Sequence, residues 1–98
     1  MQLIAFVYYD EENKEYVALT PDIEFCIAYA ESAEEALETL IDIVEVTLED
    51  EALPTNTHDL QYFTQELLKE MDIPLDASSH ILTITEESEL SYNVECMQ

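Results

Sequence analysis

Residues 16–37, YVALTPDIEFCIAYAESAEEAL, constrain this chain more than any other stretch. They read as strand, Pro-Asp turn, strand and capped helix start. Pro21 removes a ladder donor and fixes φ, so the strand that returns over residues 15–19 stops there. Residues 25–30 form the next strand, with Phe25, Ile27 and Tyr29 on one face and Cys26, Ala28 and Ala30 on the other. Ser32 followed by Glu35 is a capping box, and Glu31, Glu34 and Glu35 suit the positive end of a helix dipole.

The remaining segments feed or extend this unit. Residues 2–9, QLIAFVYY, are apolar throughout and read as a central strand. Residues 10–14 turn the chain, and Asn13 is the residue best suited to positive φ in a sequence without glycine. The helix opened at Ser32 places Ala33, Leu37, Leu40, Val44 and Leu48 on a buried face at spacings of three and four. Glu34, Glu35, Glu38, Asp42, Glu45 and Glu49 fill the opposite face, and Pro54 marks the end. Ile41, Ile43 and Val46 widen the apolar stripe beyond what one sheet face requires, which predicts dimer contacts. A second helix is expected over about residues 58–71, capped by Thr57 or Asn56, with a stripe of Leu60, Phe63, Leu67 and Met71. Ile73-Pro74 ends it. Residues 80–85 and 90–97 read as two strands around a turn at 86–89, with Leu90, Tyr92, Val94 and Cys96 alternating with Ser91, Asn93 and Glu95.

The expected architecture is α+β: a βββα core, then a helix and a C-terminal β-hairpin, with the helices on one side of an antiparallel or mixed sheet. At 98 residues the chain is one domain, residues 1–54 forming the core and 55–98 the rest.

Tyr16-Val17, Pro21-Asp22, Cys26, Glu31-Ser32 and the Glu34-Glu35-Ala36-Leu37 run stand in one register that resembles the HicB-like antitoxins. Members of that family show a Tyr-Val pair, a Pro-Asp-Leu-Pro-Gly-Cys turn, an acid-Thr pair and a Glu-Glu-Ala run opening a long helix. The resemblance covers residues 1–54. Glu24-Phe25 stand where the family has Pro-Gly, and Ala30 stands where it has glycine, so these loops must differ or carry strain. The resemblance implies a partial ribonuclease-H-like fold without catalytic acids. It also implies an antitoxin that covers a small basic ribonuclease, in a family where dimers are common. Residues 55–98 match no DNA-binding module and hold one basic residue, Lys69, which excludes direct phosphate contact.

Charge points the same way. There are 24 Asp and Glu against two basic residues, Lys14 and Lys69, for a formal net charge of −22. That is the charge of roughly 37 Å of duplex DNA, carried by a chain expected to have a radius of gyration near ~13 Å. Such a protein repels nucleic acid and anionic membranes and attracts basic proteins. The expected function is a non-catalytic acidic binding protein that occludes a basic nucleic-acid-acting protein. The alternative is a phage-type nucleic-acid mimic, such as an anti-CRISPR or anti-restriction protein. The expected contact face is Glu31, Glu34, Glu35, Glu38, Asp42, Glu45 and Glu49. Asp10, Glu11, Glu12, Glu86, Glu87 and Glu89 are further candidates.

Catalytic chemistry finds little support. Acids at helical spacing form a solvated face more often than a metal site. The acidic runs 10–12 and 49–51 lack the central glycine of a calcium loop. His58 and His80 stand alone, and His58 reads as a first-turn surface residue of the second helix. Cys26 and Cys96 lie in apolar strand patterns and behave as small hydrophobes rather than reactive thiols. Without glycine, phosphate loops and dinucleotide fingerprints are excluded. No enzyme activity, cofactor or metal is expected. With no apolar run of membrane-spanning length and no basic N-terminal region, a cytoplasmic location is expected.

Overall fold

The computed structural model describes residues 2–23, 26–50, 57–88 and 91–97. The described strands are β1 (Gln2–Asp10), β2 (Glu15–Leu19), β3 (Ile27–Ala30), β4 (Ser78–Ser88) and β5 (Ser91–Met97). They form one sheet in the order β3-β2-β1-β4-β5, and every pairing is antiparallel. The long helix α1 spans Ala33–Asp50, and the short helix α2 spans Gln65–Glu70. The Cα radius of gyration is 13.1 Å, with a longest extent of 40 Å.

The strand at the centre is the one with no polar alternation. Leu3 to Val7 are buried without interruption because both faces of β1 are covered. Leu3, Ala5 and Val7 pack with Ala18, Ala28, Leu82, Ile84 and Val94 against the buried side of α1. Ile4 and Phe6 point the other way and meet Phe63 and Ile73, with Leu67 and Leu68 of α2 beside them. The ring of Phe6 meets that of Phe63 edge to face, with centroids 5.3 Å apart. The two helices therefore lie on opposite faces, not on one side as the element order suggested. The period-2 pleat dictates this, since an apolar strand needs a cover for each face.

α1 begins where its cap predicts. The Glu35 N–H donates to Ser32 Oγ at 3.1 Å, and the Ala36 N–H donates to the Ser32 carbonyl. Its buried residues are Ala36, Leu40, Val44 and Leu48. Ala33 is exposed and Leu37 is half-buried, which corrects the expected core face by part of a turn. Alanines explain the shift: Ala5, Ala18 and Ala28 on adjacent strands leave room for Ala36 and Leu40 to come close to the sheet. The stop expected at Pro54 falls outside the described residues.

The expected second helix is broken in two. A 3-10 turn spans Leu60–Tyr62, capped by Asp59, whose carboxylate accepts from the Tyr62 N–H. Thr64 then caps α2 by accepting from the Leu67 N–H at 3.2 Å. Two capping residues five positions apart make two short elements in place of one long helix. Thr57 caps neither, and Asn56 lies outside the described residues. Of the expected stripe, Phe63 is buried and Leu67 half-buried, while Leu60 and Met71 are exposed. α2 closes with a Schellman motif built without glycine. Asp72 adopts φ 60°, the Ile73 N–H reaches the Leu68 carbonyl and the Asp72 N–H reaches Lys69.

Positive φ in the β1–β2 turn falls on Lys14 at 55°, not on Asn13. Asn13 is held by Asp10 instead: its side-chain amide donates to Asp10 Oδ2 at 2.8 Å and its backbone N–H to Oδ1. Ala30 completes β3 in extended conformation, so no glycine is needed there. Cys26 and Ala28 are buried and Ile27 and Tyr29 exposed, as the alternation predicts. Phe25 and Glu24 lie outside the described residues. In β5, Val94 is buried, Tyr92 and Cys96 half-buried and Glu95 exposed, while Leu90 lies outside.

Candidate partner-binding face

The acidic residues of α1 divide by exposure. Glu34, Glu35, Glu38, Asp42 and Glu49 are exposed. Glu34, Glu38 and Asp42 recur every four residues, and at 1.5 Å rise per residue the span from 34 to 49 covers about 22 Å. Glu31 is exposed just before the helix. Glu45 stands apart from this row. It is half-buried, and its carboxylate accepts from the Val94 N–H at 3.1 Å, closing part of the outer edge of β5. A strand edge capped by a carboxylate is a poor template for pairing with another chain.

The placement of these acids works against helix stability as well as for it. Glu34 and Glu35 occupy the first turn, where the dipole favours them, but the last turn has no basic residue and ends on Glu49 and Asp50. No lysine–carboxylate ion pair forms among the described residues. The row is a solvated surface of one sign.

The other candidate acids lie at opposite ends of the sheet. Gln2 pairs with Thr83 while Asp10 pairs with Glu15, so Asp10, Glu11 and Glu12 sit at one end and Glu86 and Glu87 beyond the other. β3 ends opposite Tyr16, at the Asp10 end, and α1 starts from there. Its row therefore runs from the first cluster toward the second. Glu89 lies outside the described residues. Asp10 titrates below the ordinary carboxylate value because the Asn13 amide and the Asn13 and Glu12 N–H groups hydrogen-bond its ionised form, against a smaller opposing desolvation.

Ile41, Ile43 and Val46 do not form one patch. Ile41 and Ile43 are two residues apart, hence about 200° apart around the helix. Ile43 and Val46 line a shallow hollow with Thr39, Asp42 and Thr47, whereas Ile41 faces β4 and β5. Ile41 and Ile43 each pack partly on the core, and Val46 is 58% exposed.

Three polar arrangements were not legible in the sequence. The buried Thr20 hydroxyl donates to the Ile4 carbonyl at 3.1 Å. Glu45 caps β5. Asp22 accepts both the backbone N–H and ring Nδ1–H of His58, at 2.6 and 2.7 Å. The ring of His58 stacks on Tyr62 at 3.7 Å, so His58 belongs to a loop that is tied down rather than to a helix surface. The signal for Asp22 was present in the Pro-Asp turn. Pro21 takes the second position of a turn closed by the Ile23 N–H and the Thr20 carbonyl, and Asp22 takes the third.

Both cysteines are thiols. Cys26 is buried, with its Sγ 3.7 Å from Thr47 Oγ1, and burial pushes the Cys96 thiol above its usual pKa. Among the described residues no cluster of His, Cys, Asp and Glu is placed to hold a metal ion, and no helix is long and apolar enough to cross a membrane.

In comparisons with known proteins, no family model matches the chain, and neither a curated protein nor a solved structure does.

Proposed function

We propose that this chain is a non-catalytic acidic binding protein that occludes a strongly basic, nucleic-acid-acting protein, in the manner of a HicB-like antitoxin covering a ribonuclease toxin. The observation that carries this reading is the exposed row Glu34, Glu38 and Asp42 on α1, without an ion pair to either lysine. Those carboxylates face solvent, and two of the chain's acids, Glu49 and Asp50, disfavour their own helix end.

A second feature favours occlusion over mimicry of a nucleic-acid backbone. Edge strand β3 exposes Ile27 and Tyr29, the latter at 53%, on the face opposite α1. An apolar edge adds affinity that salt does not screen. A phage-type nucleic-acid mimic of an anti-CRISPR or anti-restriction kind needs only the acidic row and would leave that edge bare.

The test is to mix the chain with small basic ribonucleases and other basic nucleic-acid-binding proteins, then measure complex formation and RNA cleavage across a salt series. Occlusion predicts a stoichiometric complex that stops cleavage and persists near ~0.5 M salt, where exposed charges are largely screened. A complex that forms at low salt and vanishes there supports mimicry. The absence of any complex at low salt removes both.

A further inference from the structure

A hollow of about 550 Å³ lies where the first turns of α1 pass over β4 and β5. Leu37, Ile41 and Cys96, all half-buried, make its apolar floor, and the exposed carboxylates of Glu34 and Glu38 stand on its rim. Its remaining polar wall is Ser78 and His80.

The Ser78 hydroxyl donates to the Val7 carbonyl at 3.3 Å and lies 3.0 Å from His80 Nε2. Glu34 and Glu38 sit one helical turn apart, with Cβ atoms roughly 5–6 Å from each other. No lysine lines the hollow.

We propose that this hollow receives an arginine side chain of the basic partner, an assignment that rests on the acidic-binder reading above. Guanidinium carries five N–H donors and no acceptor, which suits the paired carboxylates of the rim. Its planar fork reaches two carboxylates at once, where an ammonium acts as a single point charge. Its methylene stem lies along Leu37 and Ile41, as long cationic side chains do on apolar surfaces. The net charge of −22 draws such a segment toward the surface, and the hollow selects the side chain.

The probe is a fluorescein-labelled hexa-arginine peptide, with hexa-lysine as comparison, titrated by anisotropy at about 0.05 M salt. E34Q/E38Q removes two charges at the rim, and E66Q/E70Q removes two exposed charges from α2, on the other face of the sheet, at the same net charge. The rim pair should weaken hexa-arginine about tenfold, the α2 pair by less than about threefold, and hexa-lysine should bind more weakly than hexa-arginine. Amide shifts on titration should centre on Leu37, Ile41 and Cys96. Equal losses for the two variants, or equal affinity for the two peptides, overturn the hollow as an arginine site and leave the acidic-binder reading standing. Failure of the unaltered chain to bind either peptide overturns that reading itself.

Discussion

One carboxylate, that of Asp22, holds both the backbone N–H and the ring Nδ1–H of His58, 36 residues away in the chain. The Asp22 side chain is 7% exposed and that of His58 34%, so the clamp joins the β2–β3 turn to the loop that leads toward α2. The two bonds do not respond equally to mutation. Asp22→Ala loses both and leaves a donor without its partner, with an expected cost of about 2 kcal/mol. His58→Ala keeps the backbone bond and should cost about half as much. Urea unfolding of the two variants checks the order, and an equal or reversed order means that the ring carries the contact.

Glu45 separates structure from binding on a helix otherwise lined with surface acids. Glu45→Ala should raise hydrogen exchange of the Val94 amide about tenfold and lower stability by about 1 kcal/mol, since the bond is only partly buried. Glu45→Gln retains an acceptor oxygen and should restore most of the protection. If Glu45→Ala leaves Val94 exchange unchanged, the carboxylate belongs to the outer row.

Asp10 should titrate below the ordinary carboxylate value. Its folded value lies below the ordinary 3.8, so its contribution to stability is present above that pH and is lost as pH falls through the folded value. A carboxyl-detected NMR titration reads it directly. Asn13→Ala should move Asp10 back toward 3.8, because the Asn13 amide is the largest cause of the depression.

The thiols should differ in reactivity. Burial holds the Cys96 value above 9.0, so its contribution to stability is intact below that pH and falls as pH rises beyond it. Iodoacetamide should modify Cys96 slowly at neutral pH and faster above pH 9.0, while Cys26, 3% exposed, should react only on unfolding. Modification mapped by mass spectrometry over pH settles the order.

Self-association should use Ile43 and Val46 and not Ile41, which lies on the other flank of α1. Light scattering at micromolar concentration and moderate salt should then give a doubled mass that Val46→Asp returns to a monomer. A monomer at every salt concentration removes the dimer.

Much of this fold was legible because its strands and its first helix are specified locally. An uninterrupted apolar run gave a central strand, Pro21 a break, Ser32 a cap, and alternation in residues 26–30 and 92–96 the buried sides. The errors came where local signals competed. Asp59 and Thr64 each cap an element, so a pattern with helical period became two short pieces. Asn13 was the better candidate for positive φ by intrinsic preference, but Asp10 engaged its side chain and Lys14 took the strained angle. The core face of α1 moved from Ala33 to Ala36 because sheet alanines determine how the helix seats.

By itself the sequence determined the number and kind of most elements, the sign of the surface and the exposed row on α1, because periodicity and charge are properties of short windows. Only the tertiary structure decided that the two helices take opposite faces and that Asp22 finds His58. It also decided that Glu45 leaves the row for Val94 and that Glu34 and Glu38 rim a hollow over β4 and β5. Each of those pairs joins residues that are distant in the chain, and their meeting depends on strand order and register, which only the packed sheet specifies.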